Sequence, residues 1–465
     1  MSGPTDPDTA SSGFLQRRLS FPPFGGNRKL LSAAVIDSLG SGLVLAFILV
    51  YFTHTTTLSL AAVGGAISLA RLLAVPTAMV VGPLIDRFGA RRMALLGNTV
   101  SAVGYAGFLV SHQVWQILLV TWLAQVGGAT YWTSSSGLVV LATKPEGRPR
   151  WFSLMHMLRN SGLAAGGAIG ALLIGSTGNT GLRWVVVANA ASYAIAALLL
   201  ALWRPTGEAE AALERRESKR AATPASPAAG GYRVVLRDRR YLLLVGINVG
   251  FVFNGLILSL LLAIYINTGL HRPVWIAGVI IMINCFQVAL TQTLVGRWME
   301  RFRPIRVIAV AALFNVVSYG IFMAVDAASA EWVAISGLLV GILFYNFAET
   351  AAAPFNQNFS VSLAPEALRG RYLAVYQMSY TLGQTAGPGL FALLLTQGAL
   401  WPWIFLSALN LLAVPALFTL ERMIKDPVAA DNAPAVEQPA ATGIEAGAGT
   451  GAGAGTPDLV GETTG

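Results

Sequence analysis

Of the 465 residues, 55% are hydrophobic and only 11% are charged, whereas a water-soluble domain of this size carries about 25% charged residues. The apolar residues fall into blocks of about 20, the length a helix needs to cross a bilayer, which excludes a soluble enzyme. The net charge of +9 sits in short loops at alternate block ends, a pattern of membrane topology and anionic lipid rather than of nucleic-acid binding.

In chain order, residues 1–29 are polar, rich in Pro, Gly and Ser, and read as a cytoplasmic tail. The apolar block after them is full length and lacks a small-residue cleavage pattern, so it reads as a retained first helix. Twelve spans are predicted, at 31–53, 58–81, 93–111, 115–140, 152–176, 184–203, 241–267, 274–296, 306–325, 332–354, 372–397 and 401–420. Lipid offers no partner for free backbone N–H and C=O groups, so each must be helical. Residues 204–240, with the run ATPASPAAGG, read as a cytoplasmic linker, partly disordered. The expected fold class is an all-α integral membrane protein whose twelve transmembrane helices form two six-helix bundles, 30–203 and 241–422. Residues 423–465 are Ala-, Gly- and Thr-rich and read as a disordered cytoplasmic tail.

Orientation follows from the basic residues. With a cytoplasmic N-terminus, the opposite side holds only Arg183 and Arg272, Arg71 and Arg159 fall within spans, and the other 27 are cytoplasmic. Both termini are therefore placed in the cytoplasm of a multi-pass cell-membrane protein. Only four of the basic residues are Lys, an Arg bias that suggests a GC-rich bacterial genome.

The chain also repeats itself. Gly82-Pro-Leu-Ile-Asp86-Arg87-Phe88-Gly89-Ala-Arg91-Arg92 follows span 2, and Gly296-Arg-Trp-Met-Glu300-Arg301-Phe302-Arg303-Pro-Ile-Arg306 follows span 8, at an offset of 214. PEGRPRW before span 5 matches PEALRGRY before span 11, and Gly162 and Gly166 match Gly383 and Gly387. Two six-helix halves in the same order imply a parallel repeat about an axis along the membrane normal, enclosing a cavity that opens to alternate sides.

The loop after span 2 has its own local logic. Gly82 permits close helix approach, and Gly89 can take the left-handed conformation that ends a helix. Asp86 is placed to pair with Arg or to cap a helix N-terminus from the other half. At these residues the sequence resembles the major facilitator superfamily, whose signature in this loop is Gly, then Asp-Arg, Gly and paired basic residues; the resemblance covers about residues 30–422. It implies a cytoplasmic latch between the halves at Gly82, Asp86, Arg87, Gly89 and Arg92, with Arg369 and Arg371 as candidate neighbours. The competing reading is a solvated basic loop that only fixes topology.

Four charges stand inside spans: Asp37, Arg71, Arg159 and Glu349. Each costs about 2.5–3.5 kcal/mol or more at the bilayer centre and should face a cavity or a partner. Burial favours a neutral carboxyl and a nearby Arg the carboxylate, so an acid poised between them can take up and release a proton. Drug/proton antiporters of the superfamily are similar in keeping one acid in helix 1, and Asp37 is that residue by resemblance. The alternative is a static pair of Asp37 with Arg71 or Arg159. Glu349 is a second proton-coupling candidate, placed toward the cytoplasmic end of its span. Span 5 lacks the Gly-Pro usual in drug antiporters, which appears instead as Gly387-Pro388; the direction of transport stays open on this point.

Gln125, Tyr131, Asn248, Asn254, Gln287, Tyr345, Asn346 and Gln377 are the candidate substrate-cavity residues, with Trp132, Phe253 and Asn284 beside them. A mostly apolar, aromatic cavity with few polar groups suits hydrophobic or amphipathic solutes; the alternative for each residue is helix–helix hydrogen bonding. His54, His112 and His271 read as surface residues, and His156 as a group that titrates near neutrality. The lone Cys285 permits no disulfide, no metal site or cofactor is expected, and there is no phosphate-binding Gly-Lys-Ser/Thr loop for ATP. The expected function is proton-coupled efflux of small molecules by alternating access, with the bilayer and protons as partners and, by resemblance, a monomer. An importer or uniporter on the same scaffold and a non-transporting receptor are the rivals.

Overall fold

The structure is a computed structural model that describes residues 24–45, 47–205, 231–270, 275–299, 301–326 and 330–425. Residues 1–23 of the expected tail, 206–230 of the linker, the tail from 426, and His271, Arg272 and Glu300 lie outside the described residues. No strand occurs among the described residues.

Every predicted span falls on a helix. Span 1 comprises Arg28–Leu45 and Ile48–Thr55, span 2 Leu60–Ala74 and Thr77–Phe88, span 3 Ala90–Phe108, span 4 Val114–Ala142, span 5 Arg148–Thr177 and span 6 Asn179–Leu202. Span 7 begins at Arg239–Leu256 and continues through π-helical turns at Ile257–Leu261 and Tyr265–Gly269; spans 8 to 12 are Trp275–Met299, Pro304–Val325, Glu331–Ser362, Arg369–Gln397 and Trp401–Lys425. Among the described residues, five helices are long and apolar enough on their own to cross a membrane, or six with span 2, which bends by 42° at Val75-Pro76. Other spans are interrupted or carry polar runs such as the YWTSSS of span 4 and the YQMSYTLGQT of span 11.

Helix ends follow local chemistry. Ser59 caps span 2 by accepting from the Ala62 N–H at 3.2 Å, and Asp238 caps span 7 by accepting from the N–H groups of Arg240 and Tyr241 at 3.1 and 3.2 Å. Gly89 turns the chain between spans 2 and 3 at φ 85°, where a side chain would be strained. Two boundaries differ from expectation. Span 10 runs on past Pro354 to Ser362, because the Thr350 carbonyl that the proline deprives of its helical donor accepts from Gln292 Nε2 at 3.1 Å. The last part of the linker is not unstructured: Gly231–Arg237 is helical and its Val235 is fully buried.

The packing pattern is duplicated. In the first half, span 1 packs on spans 5 and 6, span 3 on 4 and 6, and span 2 on 4; in the second half, span 7 packs on 11 and 12, span 9 on 10 and 12, and span 8 on 10. Contacts between halves obey the same exchange: span 2 meets 11 as 8 meets 5, and span 4 meets 11 as 10 meets 5. This is the two-fold relation expected of the repeat. In the first half spans 1 and 5 meet backbone to backbone: a Cβ on Gly166 would collide with the Leu39 carbonyl, and one on Gly162 would lie 2.6 Å from Ser38 Cβ.

Candidate functional site

Asp37 lies in span 1, beside the Ser38–Leu39 pair that meets the glycines of span 5 and in register with Gly40 and Ser41, which face span 6. It is 2% exposed, and its Oδ1 has no hydrogen-bond partner among the described residues. Arg159 of span 5 is the cation whose field acts on it. The Arg159 guanidinium lies 4.0 Å over the Trp132 ring of span 4, a cation–π contact that holds the charge in place, and Tyr380 of span 11 is within its electrostatic reach. Arg71, the other expected partner, is exposed and interacts electrostatically with Tyr105. Of the two expected pairs, the structure thus favours Asp37–Arg159. Arg71 stands on span 2, before its bend.

Glu349 sits deeper than expected. The prediction ended its span at 354, but the helix continues to Ser362, so Glu349 lies thirteen residues, or about 20 Å, from that end. Its Oε1 is 3.9 Å from His156 Nε2 of span 5, and its Oε2 accepts from Asn284 Nδ2 of span 8 at 3.5 Å. Asn284 Nδ2 also donates to Asn346 Oδ1 at 2.6 Å, and Asn346 Nδ2 donates to Gln287 Oε1 at 2.9 Å. On the other side Asn160 Nδ2 lies 3.1 Å from His156 Nε2. A polar string therefore crosses from one half to the other at mid-depth. The Glu349 and His156 side chains, which face each other between halves, remain 26% and 20% exposed.

The expected cavity residues divide into two groups. Gln125, Gln287 and Gln377 are half-buried, and Asn346 belongs to the polar string. Tyr131 lines a small cavity with Leu30, Ser135, Phe152, Met155 and Gln357. Asn248, Asn254 and Tyr345 are instead sealed between helices. Asn248 Nδ2 donates to Ser379 Oγ at 2.7 Å and its Oδ1 accepts from Tyr376. Asn254 exchanges bonds with Asn410 at 3.1 and 3.0 Å, and the Tyr345 hydroxyl donates to the Asn254 carbonyl at 3.0 Å. These three are helix-to-helix joints, because each points at a neighbouring helix's polar group and not at the space between halves. Tyr380 and Asn160 were not among the sequence candidates, and His156 was read only as a titrating group without a partner. The repeat offered a signal, since the shift that takes Gly162 to Gly383 takes Arg159 to Tyr380 and His156 to Gln377.

At the end of the bundle that carries the linker, Asp86 joins the halves. Its Oδ1 accepts from the Gly370 N–H at 2.5 Å, in the first turn of span 11, and its Oδ2 lies 3.3 Å from Arg371 Nη1. A carboxylate at a helix N-terminus answers both the free N–H groups and the dipole. Gly82 and Gly370 permit the approach: a Cβ on Gly82 would lie 2.8 Å from Ala374 Cβ, and one on Gly370 would strike the Gly82 carbonyl. Arg87 stacks 5.3 Å from the Phe88 ring centre. Arg92 is exposed, whereas its neighbour Arg91 donates to the Leu200 and Ala201 carbonyls at 3.1 and 2.6 Å, closing the end of span 6. Gln357 Nε2 of span 10 donates to Ser136 Oγ of span 4 at 3.1 Å, a further bond between halves.

A family profile described as Major Facilitator Superfamily matches residues 30–352 and 277–450. The multidrug resistance protein MdtH of Photorhabdus laumondii is 26% identical over 403 residues, covering 84% of this chain and 93% of that one. Among solved structures, a bacterial homologue of the iron transporter ferroportin in its outward-facing state superposes with TM-score 0.67 at 16% identity, over 85% of this chain and 99% of that one. The human organic anion transporter MFSD10 gives TM-score 0.62 at 18% identity, over 85% and 100%.

Proposed function

Because the chain belongs to the major facilitator superfamily, a family of membrane transporters and not of enzymes, we propose that it is a proton-coupled exporter of hydrophobic or amphipathic small molecules. Asp37 carries the coupling proton. The observation that carries this reading is the Asp37 carboxyl, buried in span 1 with one oxygen unpartnered and with Arg159 acting on it. A carboxylate so placed is costly in low dielectric unless it is neutralised by a proton or by a cation that moves toward it. When the halves rock, Arg159 and Asp37 change their distance from water together, and the proton leaves or returns. The polar string at Glu349 and His156 gives a second place where a solute and a proton can compete. Relatives named for multidrug resistance support export and a broad, apolar substrate range.

The Asp86 contacts, with Gln357–Ser136, support a state closed at the linker end, which the charge distribution assigns to the cytoplasm. Opening to that side requires Asp86 to release the first turn of span 11. The proposal is tested in inverted membrane vesicles with a dye that reports the pH gradient, while hydrophobic cations and neutral amphiphiles are added. Wild-type protein releases protons on substrate addition and Asp37→Asn does not. A response of equal size in both would remove Asp37 from the coupling step, and solute entering vesicles of the opposite orientation only would reverse the direction of transport.

A further inference from the structure

Pro83 stands inside the second segment of span 2, Thr77–Phe88. Proline has no backbone N–H, so the carbonyl four residues earlier, that of Met79, loses its helical donor. In an apolar interior such a carbonyl must be answered from elsewhere. The donor is the hydroxyl of Tyr232, which bonds to the Met79 carbonyl. Tyr232 belongs to the short helix Gly231–Arg237, at the far end of the linker, and that helix packs on spans 7 and 11 of the second half. Met79 in turn packs into a cluster otherwise drawn from the second half, with Tyr232, Val235, Tyr241, Tyr372 and Tyr376. Gly82 leaves the space for the hydroxyl, since a Cβ there would strike it. Burial pushes the Tyr232 hydroxyl up to about 12 against the opposing effect of the Arg371 guanidinium, so it remains a neutral donor through the physiological range.

In the second half Pro354, one of three prolines inside helices there, is answered internally. Pro354 orphans the Thr350 carbonyl, and Gln292 of span 8, in the same bundle, donates to it. At Pro83 the repair lies across the divide between halves, so that the bond exists only while span 2 lies against span 11.

We propose that Tyr232 is a gating residue: the end of the linker holds the cytoplasmic side shut by donating to the carbonyl that Pro83 leaves free. This rests on the alternating-access reading above. Opening separates span 2 from span 11, and Tyr232, carried with the second half, must leave Met79. Water can replace it only once the cytoplasmic side is open, so the bond favours the closed state without hindering the open one. The helical end of the linker, Gly231–Arg237, is then a working part of the gate.

A cysteine introduced by Ser135→Cys, in a Cys285→Ala background, reports opening, because Ser135 lines a cavity that Gln357 of span 10 shares with the first half. Its labelling by a membrane-impermeant maleimide is followed from the cytoplasmic face of inverted vesicles. Tyr232→Phe, which keeps the ring and removes the donor, raises the labelling rate about fivefold, the loss of one hydrogen bond. Pro83→Ala restores the helical N–H, and in that background Tyr232→Phe changes the rate by less than about twofold. Equal acceleration with and without Pro83→Ala would overturn donation to the orphaned carbonyl. If Asp86→Asn accelerates labelling and Tyr232→Phe does not, the role of Tyr232 falls while the alternating-access reading stands. If neither does, the latch reading falls with it.

Discussion

The two halves share one packing plan but differ at the seam that matters most. Spans 1 and 5 meet through Gly42, Gly162, Gly166 and Gly170, where an added Cβ would run into the partner's backbone or, at Gly162, into Ser38. Spans 7 and 11 meet through Gly383 and Gly387, where it would run into the side chains of Val252 and Leu256. Ser38 and Val252 are equivalent in the repeat, as are Gly162 and Gly383. Carried one residue further, the equivalence sets Asp37 against Phe251, and Arg159 against Tyr380. The half that holds Asp37 and Arg159 is thus the half whose backbones are locked together, and the half with aromatic rings at those positions has a seam that can repack. A charge pair in low dielectric depends steeply on separation, whereas apolar contacts tolerate small shifts of side-chain rotamer.

The largest effect expected from this difference is at the glycines. Gly166→Val places branched carbons against the Leu39 carbonyl, which cannot move without displacing span 1. Spans 1 and 5 are expected to separate and the folded protein to be lost from detergent extracts, as measured by size-exclusion chromatography. Gly387→Val meets the end of the Leu256 side chain, which can turn away, and should cost about 1–3 kcal/mol as a lowered melting temperature. Equal loss at both positions would erase the distinction between a locked and an adaptable half.

A smaller effect tests the charges. Arg159→Tyr gives the first half the residue that the second half carries at the equivalent position, and removes both the cation acting on Asp37 and the stack on Trp132. Substrate-dependent proton release should fall about tenfold or more, since an uncompensated intramembrane charge costs at least about 2.5 kcal/mol. Tyr380→Phe, across the interface, should reduce it by less than about threefold, the scale of one modest hydrogen bond. The ratio of these two losses, read from the same vesicle assay, shows whether the first half alone carries the coupling.

Most of this architecture was legible in the sequence because membrane folding leaves coarse marks. Apolar blocks must be helices, a duplicated loop marks a duplicated bundle, and an acid after Gly82 that fits no topological need marks a contact. Asp86 does cap span 11 from across the divide, beside the expected Arg371. Depth and direction were harder to read. Glu349 was placed toward the surface because its span was ended at 354, whereas the helix continues to Ser362, with Gln292, far away in sequence, answering the carbonyl that Pro354 frees. Asn248, Asn254 and Tyr345 were assigned to the cavity because a polar side chain in an apolar span looks the same whether it faces a solute or a neighbouring helix. Tyr232 left no mark of its own, since its partner is a backbone carbonyl; the mark is Pro83.

The smallest effect concerns how Pro354, in contrast to Pro83, is repaired. In the second half Gln292, fully buried, serves Thr350 within one bundle, so its loss should weaken that bundle without favouring either state of the transporter. Gln292→Leu is expected to cost about 1–2 kcal/mol, near the upper end for a hydrogen bond inside a membrane protein, seen as a lowered melting temperature. Labelling at Ser135→Cys should stay at the wild-type rate, because spans 8 and 10 keep their partner in both states. The first half behaves in the opposite way, its repair crossing the divide, so a change at Tyr232 registers in accessibility. Faster labelling in Gln292→Leu would mean that the second bundle is not a rigid body during opening, and that the seam between spans 7 and 11 yields along with the gate.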